Sequence, residues 1–306
     1  MALQQGRRLA VNPSTELFAQ HLIEALPYIR KFHAKTVVIK YGGAAMTEDA
    51  LKQQFCRDVV LMDYVGMRPV VVHGGGPQVT ELMRRLGKDA QFIDGMRITD
   101  KETVDIAEMV LTGLVGKDIV ARINTEGGRA VGLSGKDASM VRARKLRHRS
   151  SKDPQTEVDI GYVGEVQNVD PTLLNTLESG NLIPVISPVG VGEEGHAYNI
   201  NADIMAGEIA HALRAERLIL LTDQPGLLRD KDQPESLISS LRASEVKTMI
   251  EEGVAQGGMI PKLKSCLHAL GGGVKKTHII DGRVAHSVLL ELFTDTGLGT
   301  QIFPDA

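Results

Sequence analysis

The sequence contains no tryptophan, only two cysteines, and a formal net charge of just −3 over 306 residues. Each shortage excludes something. Cys56 and Cys266 lie far apart without metal-ligand spacing, so neither a disulfide framework nor a zinc module is expected. Both fall in amphipathic helical stretches and read as small core residues of a reducing compartment. A nearly neutral chain has no global field to draw in nucleic acid or an anionic membrane. The basic run from Arg142 to Arg149 lacks interleaved aromatics and reads as a solvated hairpin edge. No apolar run reaches membrane-spanning length and no signal-like apolar region opens the chain, so the expected location is the cytoplasm. Two phosphate fingerprints are also missing. Gly116-Lys117 and Gly135-Lys136 both continue into aspartate, which excludes a P-loop, and Gly74-Gly75-Gly76-Pro77-Gln78-Val79 lacks the last glycine of a dinucleotide turn.

Glycine, by contrast, is plentiful, with 32 residues. Thr36-Val37-Val38-Ile39-Lys40 runs into Tyr41-Gly42-Gly43, and Val70-Val71-Val72-His73 runs into Gly74-Gly75-Gly76. A β-branched run is the mark of a buried parallel strand. A glycine turn behind it lets backbone N–H groups face an anion at close range. Two such loops with Lys40 beside them suggest a phosphate cradle. His73 reads as a structural strand-end histidine.

Helical patterns over 48–65, 78–86, 100–126, 171–180, 202–214, 243–252 and 260–270 alternate with strand patterns. Strands are expected over 36–40, 69–73, 129–133, 182–186, 217–223, 276–280 and 300–303, and a hairpin over 138–169. This alternation predicts an α/β fold, a mostly parallel open sheet covered by helices on both faces. Ligands then bind beyond the carboxyl ends of the strands, where Lys40, Gly74 to Gly76 and Asp223 fall. Ahead of the core, residues 1–11 read as disordered. Asn12-Pro13 opens a helix that Pro27 is expected to break or kink near Leu26.

Four further strings complete the pattern: Gly95-Met96-Arg97-Ile98-Thr99, Tyr198-Asn199-Ile200-Asn201-Ala202-Asp203, Leu221-Thr222-Asp223-Gln224-Pro225-Gly226 and Gly257-Gly258-Met259-Ile260-Pro261-Lys262. An arginine fork in a loop suits a carboxylate. Taken in order, the strings resemble the amino acid kinase family from Thr36 onward, and within it the branch that phosphorylates the γ-carboxylate of N-acetyl-L-glutamate with MgATP in arginine synthesis. The resemblance implies an αβα sandwich with two lobes. It implies that Lys40 and Lys262 flank the transferring phosphoryl group, that Asp203 orients both, and that the N–H groups of Gly43 and Gly75 receive its oxygens. Gly75, Gly76, Arg97 and Asn199 would hold the acetylated substrate. Lys40, Gly42, Gly43, Thr222, Asp223, Gly258, Met259 and Lys262 would line the nucleotide site. Mg2+ would arrive with ATP, and no protein metal site is expected. Asp203 has a plainer reading too, as a carboxylate stabilised at a helix N-terminus.

The stretch from His286 to Thr300 resembles the arginine-binding segment of feedback-inhibited family members, which also carry an extra N-terminal helix. The resemblance implies an L-arginine site with Tyr28, His278, Glu291 and Gly297. In it Glu291 would meet the guanidinium and the turn at Gly297 and Gly299 would offer carbonyls. It also implies a hexamer built as a trimer of dimers, with room for a nitrogen-signalling protein as partner. The organisation expected is a kinked helix over 1–34, a substrate-binding and dimerising lobe over 35–192, and an ATP- and arginine-binding lobe over 193–306. Two alternatives stay open: a family member acting on another acid, and a nucleotide- and arginine-binding regulator without turnover.

Overall fold

The computed structural model describes residues 13–149, 155–230 and 232–305. The disorder expected over 1–11 and the cap at Asn12 lie outside them. Eight strands form the main sheet: β1 (Thr36–Tyr41), β2 (Arg68–His73), β3 (Ala130–Ser134), β4 (Ile183–Ser187), β5 (Arg217–Thr222), β6 (Ser240–Arg242), β7 (Lys276–Asp281) and β8 (Thr300–Phe303). Across the sheet the order is β6-β8-β7-β5-β1-β2-β4-β3. Every pairing is parallel except that between β7 and β8. One continuous sheet therefore joins the two halves of the chain through β1 and β5, where Val37 stands opposite Arg217.

Among the described residues ten α-helices accompany it: α1 (Pro13–Phe32), α2 (Asp49–Tyr64), α3 (Gly76–Arg85), α4 (Lys101–Glu108), α5 (Gly116–Thr125), α6 (Thr172–Ser179), α7 (Ala202–Ala212), α8 (Ala243–Glu251), α9 (Met259–Gly271) and α10 (Ser287–Leu292). The period-two geometry of a strand divides the core. Val37, Ile39 and Tyr41 of β1 enter one apolar cluster with α2, α4 and α5, while Val38 enters a second with α7 and α9. Burial of β1, β2 and β5 on both faces explains their unbroken apolar runs. Cys56 and Cys266 are buried free thiols, and burial pushes each up to about 12. No described helix is long and apolar enough to cross a membrane.

Some expectations need correction. Helix α1 runs through Pro27 as one helix from Pro13 to Phe32. The lost hydrogen bond falls on the carbonyl of Ile23, which lies on an exposed stretch where water can replace it. Helix α3 starts two residues earlier than its apolar pattern, at Gly76, because Pro77 suits a first helical turn. The long helix over 100–126 is three segments, α4 and α5 being joined by a π-helical stretch, Met109–Val115. The hairpin pairs Val141–Lys145 with Gly164–Val169 and gains two unforeseen strands, Val189–Val191 and Ala197–Asn199, in a four-stranded sheet. Residues 150–154 of that region lie outside the described ones. Arg144 and Lys145 in it are exposed and pair with Glu165 and Asp159, as a solvated edge does.

Candidate active site

At the carboxyl edge of the sheet the two predicted lysines meet one carboxylate. Lys40 Nζ lies 3.1 Å from Asp203 Oδ1, and Lys262 Nζ donates to Oδ2 at 2.7 Å. Each comes from a different element: Lys40 from β1, Asp203 from the first turn of α7, and Lys262 from the first turn of α9. Asn201 places Asp203 by capping α7, its Oδ1 accepting from the N–H groups of Asp203 (2.8 Å) and Ile204 (3.2 Å). The Ser265 hydroxyl donates to the Asp203 carbonyl at 2.5 Å and ties α9 to α7. Gly207 permits that approach, since a Cβ there would stand 2.3 Å from Ser265 Oγ. Burial pushes the Asp203 carboxyl up, but the charges of Lys40 and Lys262 and their hydrogen bonds outweigh it and hold the group below its usual range. Two ammonium groups on one carboxylate leave a surplus positive charge at the strand ends.

The glycine loops close around the same point. The Gly74 N–H donates to the Tyr41 carbonyl at 2.8 Å, joining one loop to the other. At Gly42 a Cβ would come within 3.1 Å of Lys40 Nζ and 3.5 Å of Gly74 N, so a side chain would crowd the lysine. Gly43 has φ +65°, a conformation glycine adopts without strain. At Gly75 a Cβ would strike Leu111 of the π-helical stretch at 2.6 Å.

Arg97 is buried, 9% exposed. Its Nη2 donates to the Gly76 carbonyl (3.0 Å) and Thr80 Oγ1 (2.7 Å), its Nη1 reaches Met83 Sδ (3.4 Å), and its guanidinium lies over the Phe92 ring at 4.8 Å. All of these partners are neutral, and burial pulls its pKa down. A buried guanidinium with neutral partners is an incomplete arrangement that a carboxylate completes. Asn199, half-buried on Ala197–Asn199, donates its N–H to the Tyr162 carbonyl at 2.9 Å.

A cleft of about 970 Å³ opens beside Lys262, and Thr222, Asp223, Gly258 and Met259 all line it. The residues predicted for the nucleotide from the second half of the chain thus share one cavity. Its volume suits a nucleotide-sized ligand.

A second pocket, about 70 Å³, lies on the opposite flank, lined by Tyr28, Lys31, Arg217, Lys276, Glu291 and Asp295 among others. Tyr28 donates to Asp295 Oδ1 at 2.8 Å and meets the Phe293 ring edge-on. The Glu291 carboxylate is fully engaged and its side chain has no exposure. It accepts from His278 Nδ1 (2.6 Å), Gln301 Nε2 (3.2 Å) and the N–H groups of Leu298 (2.5 Å) and Gly299 (3.3 Å). Gly297, in the left-handed region at φ +65°, lies against it; a Cβ there would be 2.8 Å from both oxygens. The resemblance makes Glu291 a partner for a guanidinium; in the fold its carboxylate also organises the turn, and Asp295 is the carboxylate beside Tyr28. Arg217 and Lys276 escaped the sequence reading because only the strand register of β5 and β7 makes them neighbours. Asn201 and Ser265 escaped it too, although an asparagine before an acidic first turn is a cap signal.

A parallel sheet with two glycine loops and paired lysines at its carboxyl edge is the arrangement of a phosphoryl-transferring α/β enzyme. Residues 35–281 match the amino acid kinase family, and the chain belongs to that family. It is 57% identical over 284 residues to the acetylglutamate kinase of Moorella thermoacetica, covering 92% of this chain and 96% of that one. It is 54% identical over 294 residues to the acetylglutamate kinase of Nitrosomonas eutropha, covering 96% and 97%. Among solved structures, the N-acetylglutamate synthase of Neisseria gonorrhoeae complexed with coenzyme A and N-acetyl-glutamate superposes with a TM-score of 0.80 at 28% identity, over 94% of this chain. The match spans 64% of that protein's length. The same synthase complexed with coenzyme A and L-arginine gives a TM-score of 0.76 at 27% identity, over 94% of this chain and 66% of that one. The carbamate kinase of Giardia lamblia bound to AMP-PNP shares the fold, with a TM-score of 0.62 at 16% identity over 89% of this chain and 99% of that one.

Proposed function

We propose that this chain transfers the γ-phosphoryl group of ATP to the γ-carboxylate of N-acetyl-L-glutamate. The observation that carries the reading is Asp203 bridging Lys40 and Lys262, with Lys262 lining the cleft that Thr222 and Met259 share. The similarity to acetylglutamate kinases supports the choice of acceptor. A carboxylate oxygen attacks the γ-phosphorus, the bond to the bridging oxygen breaks, and ADP leaves with that electron pair. No general base is required, because a carboxylate with a reference pKa of about 4.3 is already ionised at pH 7. Such a transfer is catalysed by positioning and charge. Lys40, Lys262 and the N–H groups of Gly43 and Gly75 supply the charge and the donors, and Asp203 sets the lysines. Arg97 and Asn199, beside Gly75 and Gly76, hold the acceptor. Lys40, Gly42, Gly43, Thr222, Asp223, Gly258, Met259 and Lys262 hold the nucleotide, and Mg2+ comes with it, held largely by phosphate oxygens and water.

The same reading includes regulation by L-arginine at the pocket of Tyr28, His278 and Glu291, with Gly297 against Glu291. An arginine needs both signs of charge, and Asp295 with Lys31, Arg217 and Lys276 supplies them. A ligand that binds one arrangement of this pocket's wall better than another couples the pocket to activity. Leu17, Phe18, Leu22, Ile23 and Leu26 leave an apolar face on α1 that is 50–70% exposed. We assign this face to a second copy of the chain, in a cytoplasmic hexamer, with substrate held by the lobe over 35–192 and nucleotide by that over 193–306. The test is ATP-dependent ADP release on N-acetylglutamate, glutamate, aspartate, uridylate and carbamate, with hydroxylamine trapping the acyl phosphates that the carboxylate acceptors form. ADP release with N-acetylglutamate well above the others, and hydroxamate from it, is expected. A preference for another acceptor overturns the assignment.

A further inference from the structure

His73 ends β2 directly before the glycine loop and is wholly buried. Its Nδ1 lies 2.8 Å from the carbonyl oxygen of Gly74. A carbonyl only accepts, so Nδ1 carries the proton and Nε2 is bare. Nε2 is buried without a hydrogen-bond partner, facing Gly116, where a Cβ would stand 3.1 Å from it. Burial pulls the imidazole down to about 4, so near neutral pH the ring has a single N–H. That N–H is spent on the next residue.

We infer that His73 is a positioning residue whose Nδ1–H fixes the Gly74–Gly75 peptide and thereby aims the Gly75 N–H at the transferring phosphoryl group. The peptide is trans, as are all described ones. In a trans peptide the C=O of Gly74 and the N–H of Gly75 lie in one plane and point in opposite directions. Holding the first directs the second. The hold matters here because three consecutive glycines have no side chains to restrict their peptide planes. Leu111 covers Gly75 from the π-helical stretch, but it packs the Cα and cannot select the tilt of the amide. A histidine serving only as strand-end filler would be a poor choice for this position. It leaves a buried nitrogen unpaired, a cost that leucine or methionine would not carry.

The inference rests on the kinase reading, so the closing experiment separates the two. Hydroxamate formation is measured on full-length wild type, His73→Asn, His73→Gln and His73→Leu, with thermal unfolding as a control for folding. The Asn amide can stand where Nδ1 stood, while the Gln amide reaches the Nε2 position. His73→Gln and His73→Leu are expected to lower kcat by about 10- to 100-fold, short of the roughly 10²–10³-fold cost of losing such a donor outright. Their KM values should stay within about threefold, and His73→Asn should keep kcat within about threefold of wild type. If the Leu variant does not fold, the Asn and Gln pair decides. An active wild type with equally active Asn and Gln variants overturns the positioning role alone. A wild type that makes no hydroxamate from N-acetylglutamate overturns the kinase reading and this inference with it.

Discussion

Two buried carboxylates organise this molecule, and they do so with opposite kinds of partner. Asp203 is held by two ammonium groups, Lys40 and Lys262, the second of which lines a large cleft. Glu291 is held by neutral donors: a histidine N–H, an amide side chain and two backbone N–H groups. The first arrangement leaves positive charge over for a ligand and keeps the lysines from straying. The second spends the carboxylate on a turn and leaves nearby cations, Lys31 and Lys276 among them, for whatever enters the small pocket. A carboxylate's burial therefore says little about its task. The charge of its donors says more, because cationic donors create an anion site and neutral donors create a scaffold.

The sharpest way to break that contrast is at the lysines. Lys40→Ala and Lys262→Ala should each lower turnover by at least ~10²-fold, the scale for losing one charge partner of a transition state. Nucleotide binding, read by calorimetry, should change far less, because the rest of the cleft remains. Near-normal turnover in either variant would remove that lysine from the site. Arg97→Lys comes next. A point charge cannot reproduce the planar fork that reaches Gly76, Thr80 and Met83, so KM for N-acetylglutamate should rise by ~10-fold or more while KM for ATP barely moves. A parallel rise in both constants would mean that Arg97 supports the glycine loop and does not hold the acceptor.

How much of this was readable from the chain follows from what is local. The runs at Val37–Ile39 and Val70–Val72 announce their strands because burial on both faces demands unbroken apolar residues. The Lys40, Asp203, Lys262 triad was legible by family resemblance, and the fold adds the distances. Of the four residues assigned to arginine, Tyr28, His278 and Glu291 line one pocket, and Gly297 lies behind it against Glu291. The pairing of Arg217 with Lys276 was not legible, since it depends on which strands of a crossed-over sheet become neighbours. Nor was the π-helical register of Met109–Val115, which differs from an α-helix by one residue of hydrogen bonding. Pro27 misled because propensity alone cannot say that water will serve the carbonyl it strands. At Glu291 the sequence shows a charge but not the two backbone amides that fold back onto it.

At the second carboxylate the expected effects are smaller. Glu291→Ala leaves His278 and the N–H groups of Leu298 and Gly299 without their acceptor, so the turn should loosen and L-arginine inhibition should weaken by ~5–50-fold, within the usual span of allosteric coupling. Size in light scattering should not change. Unaltered inhibition would separate the turn from the effector site. Deleting residues 1–26 removes the exposed apolar face of α1 but keeps Tyr28, and should give an active dimer with inhibition weakened to a similar or lesser degree. A truncated chain that stays hexameric and fully sensitive would show that this face has another occupant.

The smallest effect is expected at Tyr28 itself. Its hydroxyl donates to Asp295 at 2.8 Å, and its ring meets Phe293 edge-on with centroids 6.3 Å apart. Tyr28→Phe removes the first contact and keeps the second. The pair is exposed, so water readily replaces the lost hydrogen bond and the root of α1 should stay docked on α10's trailing segment. The freed Asp295 carboxylate has two competing consequences. It loses a donor that an arriving guanidinium would have to displace, which favours binding, and it loses the partner that holds it in place, which disfavours binding. These should nearly cancel, leaving the inhibition constant for L-arginine within ~2–3-fold of wild type, with kcat unchanged. Asp295→Asn, in contrast, removes the negative charge itself and should weaken inhibition by ~10-fold or more. Inhibition assays on the two variants side by side settle the point. If Tyr28→Phe is as damaging as Asp295→Asn, the hydroxyl is an effector contact in its own right, and the small pocket recognises arginine by its geometry more than by its charge.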